Sequence, residues 1–162
     1  QVQHALPPCR TRRPPWVCGP GRGHALWQGE GLRDGTIDVI ATDHAPHTRE
    51  EKHREFALAP DGMVGLETAV GLILTEFVRP GLLSLDEIAM KMAVNPRRLL
   101  GLPEGAISPG EPADLTVLDL ERVWTVEPER FRSKSRNTPF AGRRLTGKAV
   151  ATFVAGRPVH HE

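Results

Sequence analysis

Cysteine is scarce in this chain. Two residues, Cys9 and Cys18, among 162 make no disulfide framework, and they lack the close Cys-x-x-Cys spacing of zinc sites. A reducing, cytoplasmic setting is the default expectation. An excess of one charge is also missing: 21 Lys plus Arg face 20 Asp plus Glu, for a formal net charge of +1. A dedicated nucleic-acid or anionic-membrane binder needs a clear basic excess, so neither partner is expected. Long apolar runs are lacking too. Met63–Val78 comes nearest, but Glu67 and Glu76 interrupt it, and a bilayer crossing needs about 18 apolar residues. The first 24 residues are rich in Pro and Arg and hold no apolar core of a signal peptide. There is no internal repeat. What remains is 39% hydrophobic and 25% charged, a composition that permits a packed core of about one domain.

The texture is uneven. Residues 1–29 carry four Arg and no acid, with Pro7, Pro8, Pro14, Pro15 and Pro20 among glycines. Proline fixes φ and removes donors, and glycine raises the entropic cost of ordering, so this stretch is expected to be irregular. From Leu32 onward a pattern emerges. Thr36–Thr42 is β-rich after the turn pair Asp34-Gly35 and predicts a buried strand. Apolar residues at 66, 69, 70, 73, 74, 77 and 78 predict a helix over 65–78. Ser84-x-x-Glu87 is a capping box that opens a helix to about Val94. Asn95-Pro96 is expected to cap and start another short helix, which Gly101 stops. Ala113–Asp119 and Val123–Val126 predict two strands. Lys148–Val154 and Arg157–His160 flank Ala155-Gly156 as a hairpin.

Several residues have side chains fit for chemistry. Asp43 and His47 follow the predicted strand, at the end where α/β sheets and barrels gather functional groups. A carboxylate there can ligate a metal, act as general base or carry a proton; it can equally be a plain strand-end turn residue. The reading requires Asp43 to face an open cleft. His47 can ligate metal, donate to a substrate oxygen, or simply lie on the surface. Lys52 stands in a charge run, Arg49–Glu55, that taken alone is a solvated face. Gly62-x-x-Gly65 before a helix offers backbone N–H groups to an anion, or is only a turn. Asn137–Gly142 fits an ordinary turn with a buried Phe140. His160-His161 makes a poor metal site, because adjacent side chains diverge on a strand. His4 and His24 carry no motif.

Taken together, four blocks resemble the dihydroorotases, best the bacterial class I type. Ala41-Thr42-Asp43-His44-Ala45-Pro46-His47 followed by Lys52 is similar to a family signature. Ala59–Thr68, Pro112–Thr116 and Ser135–Phe140 resemble later blocks, in the same order. The likeness spans roughly Leu32 to Glu162. It implies an α/β fold: the last β/α unit of a (β/α)8 amidohydrolase barrel over 32–103, incomplete here, then the C-terminal strands of a small β-sandwich over 104–162. Residues 1–31 fall outside it, as expected of a C-terminal fragment with a shifted reading frame upstream. The implied reaction interconverts N-carbamoyl-L-aspartate and dihydroorotate in pyrimidine synthesis, with Zn2+ as cofactor. By resemblance Asp43 is both metal ligand and catalytic proton shuttle, while His47, Asp61 and Gly62 touch substrate. Many relatives carry Phe where Asp61 stands, and a carboxylate there would repel an anionic substrate unless turned away. The His-x-His signature and the other zinc ligands have no counterpart in this sequence, so the chain is expected to be inactive alone. The implied partners are the small-molecule substrate, a second copy of the chain, and aspartate carbamoyltransferase. The alternatives are a non-catalytic dihydroorotase-like subunit supporting that transferase, or another cyclic amidohydrolase such as an allantoinase or hydantoinase.

Overall fold

The computed structural model of the chain describes residues 30–162. Cys9, Cys18, His4, His24 and the expected irregularity of the first stretch lie outside these residues. A single helical turn at 30–33 opens the described part, and the segment after it is the first departure from expectation. Thr36–Thr42 is extended but belongs to no sheet, and it is half-buried at best. A strand needs a partner to take its backbone groups, and the described residues supply no neighbouring strand. The helical layer takes some of them instead. Lys91 Nζ donates to Ile37 O (2.8 Å), Asn95 Nδ2 donates to Asp38 O (2.8 Å), and Ile40 N donates to Lys91 O (2.9 Å).

Four short helices follow. Helix α1 (Arg49–Lys52) starts at a capping box in which Thr48 and Glu51 satisfy each other's backbone N–H. Helix α2 (Leu66–Ile73) widens into a π-type turn over Leu74–Val78. The Ser84/Glu87 box opens α3 (Leu85–Ala89), as the sequence predicts. A π-type turn (Met90–Val94) then leads without a break into α4 (Asn95–Leu99). Asn95 therefore starts α4, as expected, but makes no N-cap hydrogen bond. It sits inside a continuous helical run, and its side chain is committed to Asp38 O.

The last third is an antiparallel sheet in the order β1-β2-β3. The two strands expected over 113–126 are one, β1 (Leu115–Thr125). Asp119 Oδ1 accepts from Glu121 N and Arg122 N (3.1 Å each), which folds the intervening residues into a bulge and lets pairing resume at Val123. The hairpin between β2 (Arg144–Val154) and β3 (Arg157–His161) turns at Ala155-Gly156, as predicted; both residues have positive φ, the type I′ signature.

Helix α2 sits between two small cores. Leu32, Ile73, Leu83 and Ile88 form one, with Ile37 and Ile40 of the extended segment packed against it. Val64, Val126, Phe131 and Leu145 form the other, joined by Leu72, Trp124 and Phe140. The second core ties α2 to the sheet and brings the 131–140 segment beside the loop that precedes α2. Among the described residues no helix is long and apolar enough to cross a membrane.

Candidate active site

Three loops converge in front of α2: residues 43–48, 59–65 and 133–140. The middle one holds the centre. Gly62 has φ +105, a conformation that disfavours any side chain, and a Cβ there would fall 2.7 Å from Ala45 Cβ and 3.3 Å from His47 Nε2. Its bare backbone therefore lets the His47 ring lie against the 59–65 loop. Ala45 N donates to Met63 O (2.9 Å), and His44 pairs with Met63 in a one-residue parallel bridge, which zips the first two loops together.

Two side chains then hold the Gly62 carbonyl. Asn137 Nδ2 donates to it at 2.9 Å, and Lys52 Nζ at 3.3 Å while also donating to Pro60 O at 2.8 Å. Asn137 O accepts from Val64 N (3.0 Å), and Ser135 Oγ donates to His47 O (2.7 Å). So the third loop clamps both of the others. Lys52 leaves the solvated face expected of its charge run: its stem is half-buried and its ammonium serves loop carbonyls. Asn137 is likewise more than a turn residue. A signal for Lys52 was present in the Thr48-x-x-Glu51 box, which starts the helix that aims it; Asn137 was marked only by the Ser135–Phe140 block, because the partners that reveal its role lie far away in sequence.

His47 is half-buried, with Nδ1 3.6 Å from Glu51 Oε2. Glu51 is held below the usual carboxylate range, chiefly because the Thr48 amide donates to it. An anionic group thus faces Nδ1 and leaves Nε2 on the Gly62 side. The cleft beside this cluster measures about 790 Å³ and is walled by His47, Arg49, Lys134 and Arg136 among others.

Asp43 stands at the start of the first loop, exposed and with φ 43. It lines neither this cleft nor the neighbouring one around Lys52, Phe56 and Pro60. The walls a barrel would add on its far side are not among the described residues. Asp61 is exposed and lines that neighbouring cleft, away from His47. The N–H groups at the start of α2 do not await an anion. His44 Nδ1 accepts from Gly65 N (3.1 Å) and Leu66 N (3.4 Å).

The zinc expectation meets a donor set that does not fit. Zinc takes about four ligands, and among the described residues no group of three or more His, Cys, Asp or Glu lies close enough to hold a metal. Asp43 offers one carboxylate, while the Nδ1 atoms of its histidine neighbours face α2 and Glu51. His160, the other histidine near a charged group, lies on β3 with Nδ1 3.5 Å from Arg132 Nη2.

Residues 29–159 match the amidohydrolase family, and the chain belongs to it. Within that family, it is 59% identical over 130 residues to a dihydroorotase of Pelotomaculum thermopropionicum, covering 80% of this chain and 30% of that one. It is 51% identical over 133 residues to a dihydroorotase of Bacillus subtilis, covering 82% of this chain and 31% of the relative. Among solved structures, an L-hydantoinase (dihydropyrimidinase) from Arthrobacter aurescens superposes with a TM-score of 0.78 at 34% identity, over 84% of this chain and 31% of that one. The chain thus spans about 30% of the length of the curated relatives it matches. This agrees with part of an amidohydrolase barrel followed by a sheet.

Proposed function

We propose that this chain is the C-terminal part of a zinc-dependent, dihydroorotase-type cyclic amide hydrolase, interconverting dihydroorotate and N-carbamoyl-L-aspartate in pyrimidine synthesis. The carrying observation is the 59% identity to a dihydroorotase across the region that folds into the three-loop cluster. Ring opening needs a water to lose a proton and the departing ring nitrogen to gain one. Asp43 is the carboxylate for that transfer: it accepts the proton and returns it to the nitrogen, so the residue ends the cycle unchanged. His47, with Glu51 beside Nδ1, contacts the substrate through Nε2. The Gly62 backbone, clamped by Lys52 and Asn137, sets the floor against which the substrate rests. The further ligands that zinc needs beside Asp43 are not gathered among the described residues, so residues 30–162 are inactive alone.

The likeness to an L-hydantoinase favours a second reading, a related cyclic amide as substrate. Both readings are tested by grafting residues 30–162 in place of the matching segment of the Bacillus subtilis dihydroorotase. The first expects the chimera to open dihydroorotate and leave hydantoins untouched. A chimera that opens hydantoins but not dihydroorotate supports the second.

A further inference from the structure

Asp43 carries a backbone conformation that non-glycine residues rarely adopt, with φ 43. Such a conformation persists only where the surroundings hold it. Here both flanks of Asp43 are pinned to one place, the start of α2. On the upstream side, Thr42 O lies so close to Gly65 that a Cβ there would come within 2.7 Å of it. On the downstream side, His44 Nδ1 accepts from Gly65 N and Leu66 N, and Ala45 N donates to Met63 O. Helix α2 has no side-chain cap from its own N-cap residue, because that residue is Gly65. Its first N–H groups are therefore open to a cap from elsewhere, and the residue that supplies it comes 21 positions earlier. Between these two anchors lies a single residue, Asp43, and it carries the left-handed φ.

We infer that His44 is a positioning residue. By capping α2 through an unprotonated Nδ1, its imidazole fixes the left-handed conformation of Asp43 and with it the direction in which the carboxylate leaves the chain. The functional meaning of this rests on the reading of Asp43 as proton carrier; the structural claim does not. A nitrogen that accepts two N–H groups carries no proton, so the ring is the Nε2–H tautomer. The contact also accounts for the choice of residue. Asn places an oxygen where His has Nδ1 and can replace it, whereas Phe keeps the ring and loses the acceptor.

The test is NMR on the full 162-residue chain at neutral pH. Long-range nitrogen–proton spectra of the wild type read the His44 tautomer without any substitution. The three-bond HN–Hα coupling and the Cβ shift of Asp43 read its φ, and hydrogen exchange reads the Gly65 and Leu66 amides. The wild type and His44→Asn should both keep the left-handed signature at Asp43 and protected amides. His44→Phe should move Asp43 to the extended signature and speed exchange at the two amides by about tenfold, the loss of one such bond. A protonated Nδ1 in the wild type would overturn the inference. So would His44→Phe with Asp43 unmoved. Failure of the proton-carrier reading would show elsewhere, as full activity of Asp43→Asn in the chimera, with these spectra unchanged.

Discussion

Lys52 and Asn137 converge on one acceptor, the Gly62 carbonyl, and that convergence gives a quantitative expectation. Asn137→Ala removes the neutral hydrogen bond to that oxygen, together with the Ser135 Oγ contact at Oδ1, while Lys52 Nζ still satisfies the carbonyl, so it should cost about 1 kcal/mol. Lys52→Met removes a charged donor from two carbonyls, Pro60 O and Gly62 O, and should cost more, about 1.5–3 kcal/mol. Lys52 is only half-buried, which puts the expected value toward the low end. The double variant leaves Gly62 O with neither donor. A half-buried carbonyl stripped of its last partner adds a desolvation penalty that neither single variant incurs, so the double should exceed the sum of the singles by about 1 kcal/mol. Urea unfolding of the four proteins gives the cycle. Additivity within about 0.3 kcal/mol would refute the reasoning, because it would mean that the two side chains do not share this acceptor.

Other expectations follow from the packing and the caps. Leu145 is fully buried at the junction of α2 and the sheet, and Leu145→Ala should cost about 2–5 kcal/mol, read as a lowered urea midpoint. Gly65→Ala would drive a Cβ to within 2.7 Å of Thr42 O; an overpacking loss of about 1–3 kcal/mol should appear in the same assay, with amide shifts concentrated at Thr42 and Asp43. Glu51 and Glu87 are both held below the usual carboxylate range by hydrogen bonds to their N-cap residues, Thr48 and Ser84. A carboxyl whose pKa is depressed by folding stabilises fully above its unfolded value and loses that contribution as the pH falls through the folded value. Glu51→Gln and Glu87→Gln should therefore be less stable than wild type near neutrality and converge with it in acid, as followed by thermal unfolding against pH.

How much of this was legible depended on how far apart the partners lie. The α2 stripe, the Ser84/Glu87 box and the Ala155-Gly156 hairpin are written within a few residues, and they formed where expected. Thr36–Thr42 had the composition of a strand, but composition cannot supply a neighbour, and its carbonyls went to Lys91 and Asn95. The same long-range claim on Asn95 removed it from the capping role that its local sequence suggested. The two expected strands merged because one Asp119 carboxylate absorbs the extra residues in a bulge. At the site, His47 and Gly62 were picked out from sequence and lie together. Lys52 and Asn137 were read as solvent and turn because their acceptors are reached only through the fold. The resemblance placed Asp61 with Gly62 at the substrate; Asp61 is exposed and lines the neighbouring cleft around Lys52 and Pro60, while Gly62 lies against His47.

The central claim is that Asp43 moves the proton in ring opening while the three-loop cluster holds the substrate. Its most direct measurement is dihydroorotate hydrolysis by the Bacillus subtilis chimera carrying residues 30–162, with and without Asp43→Asn. Loss of a positioned proton carrier should lower kcat by about a hundredfold or more with the fold intact. A chimera whose kcat is unchanged by that substitution would contradict the account.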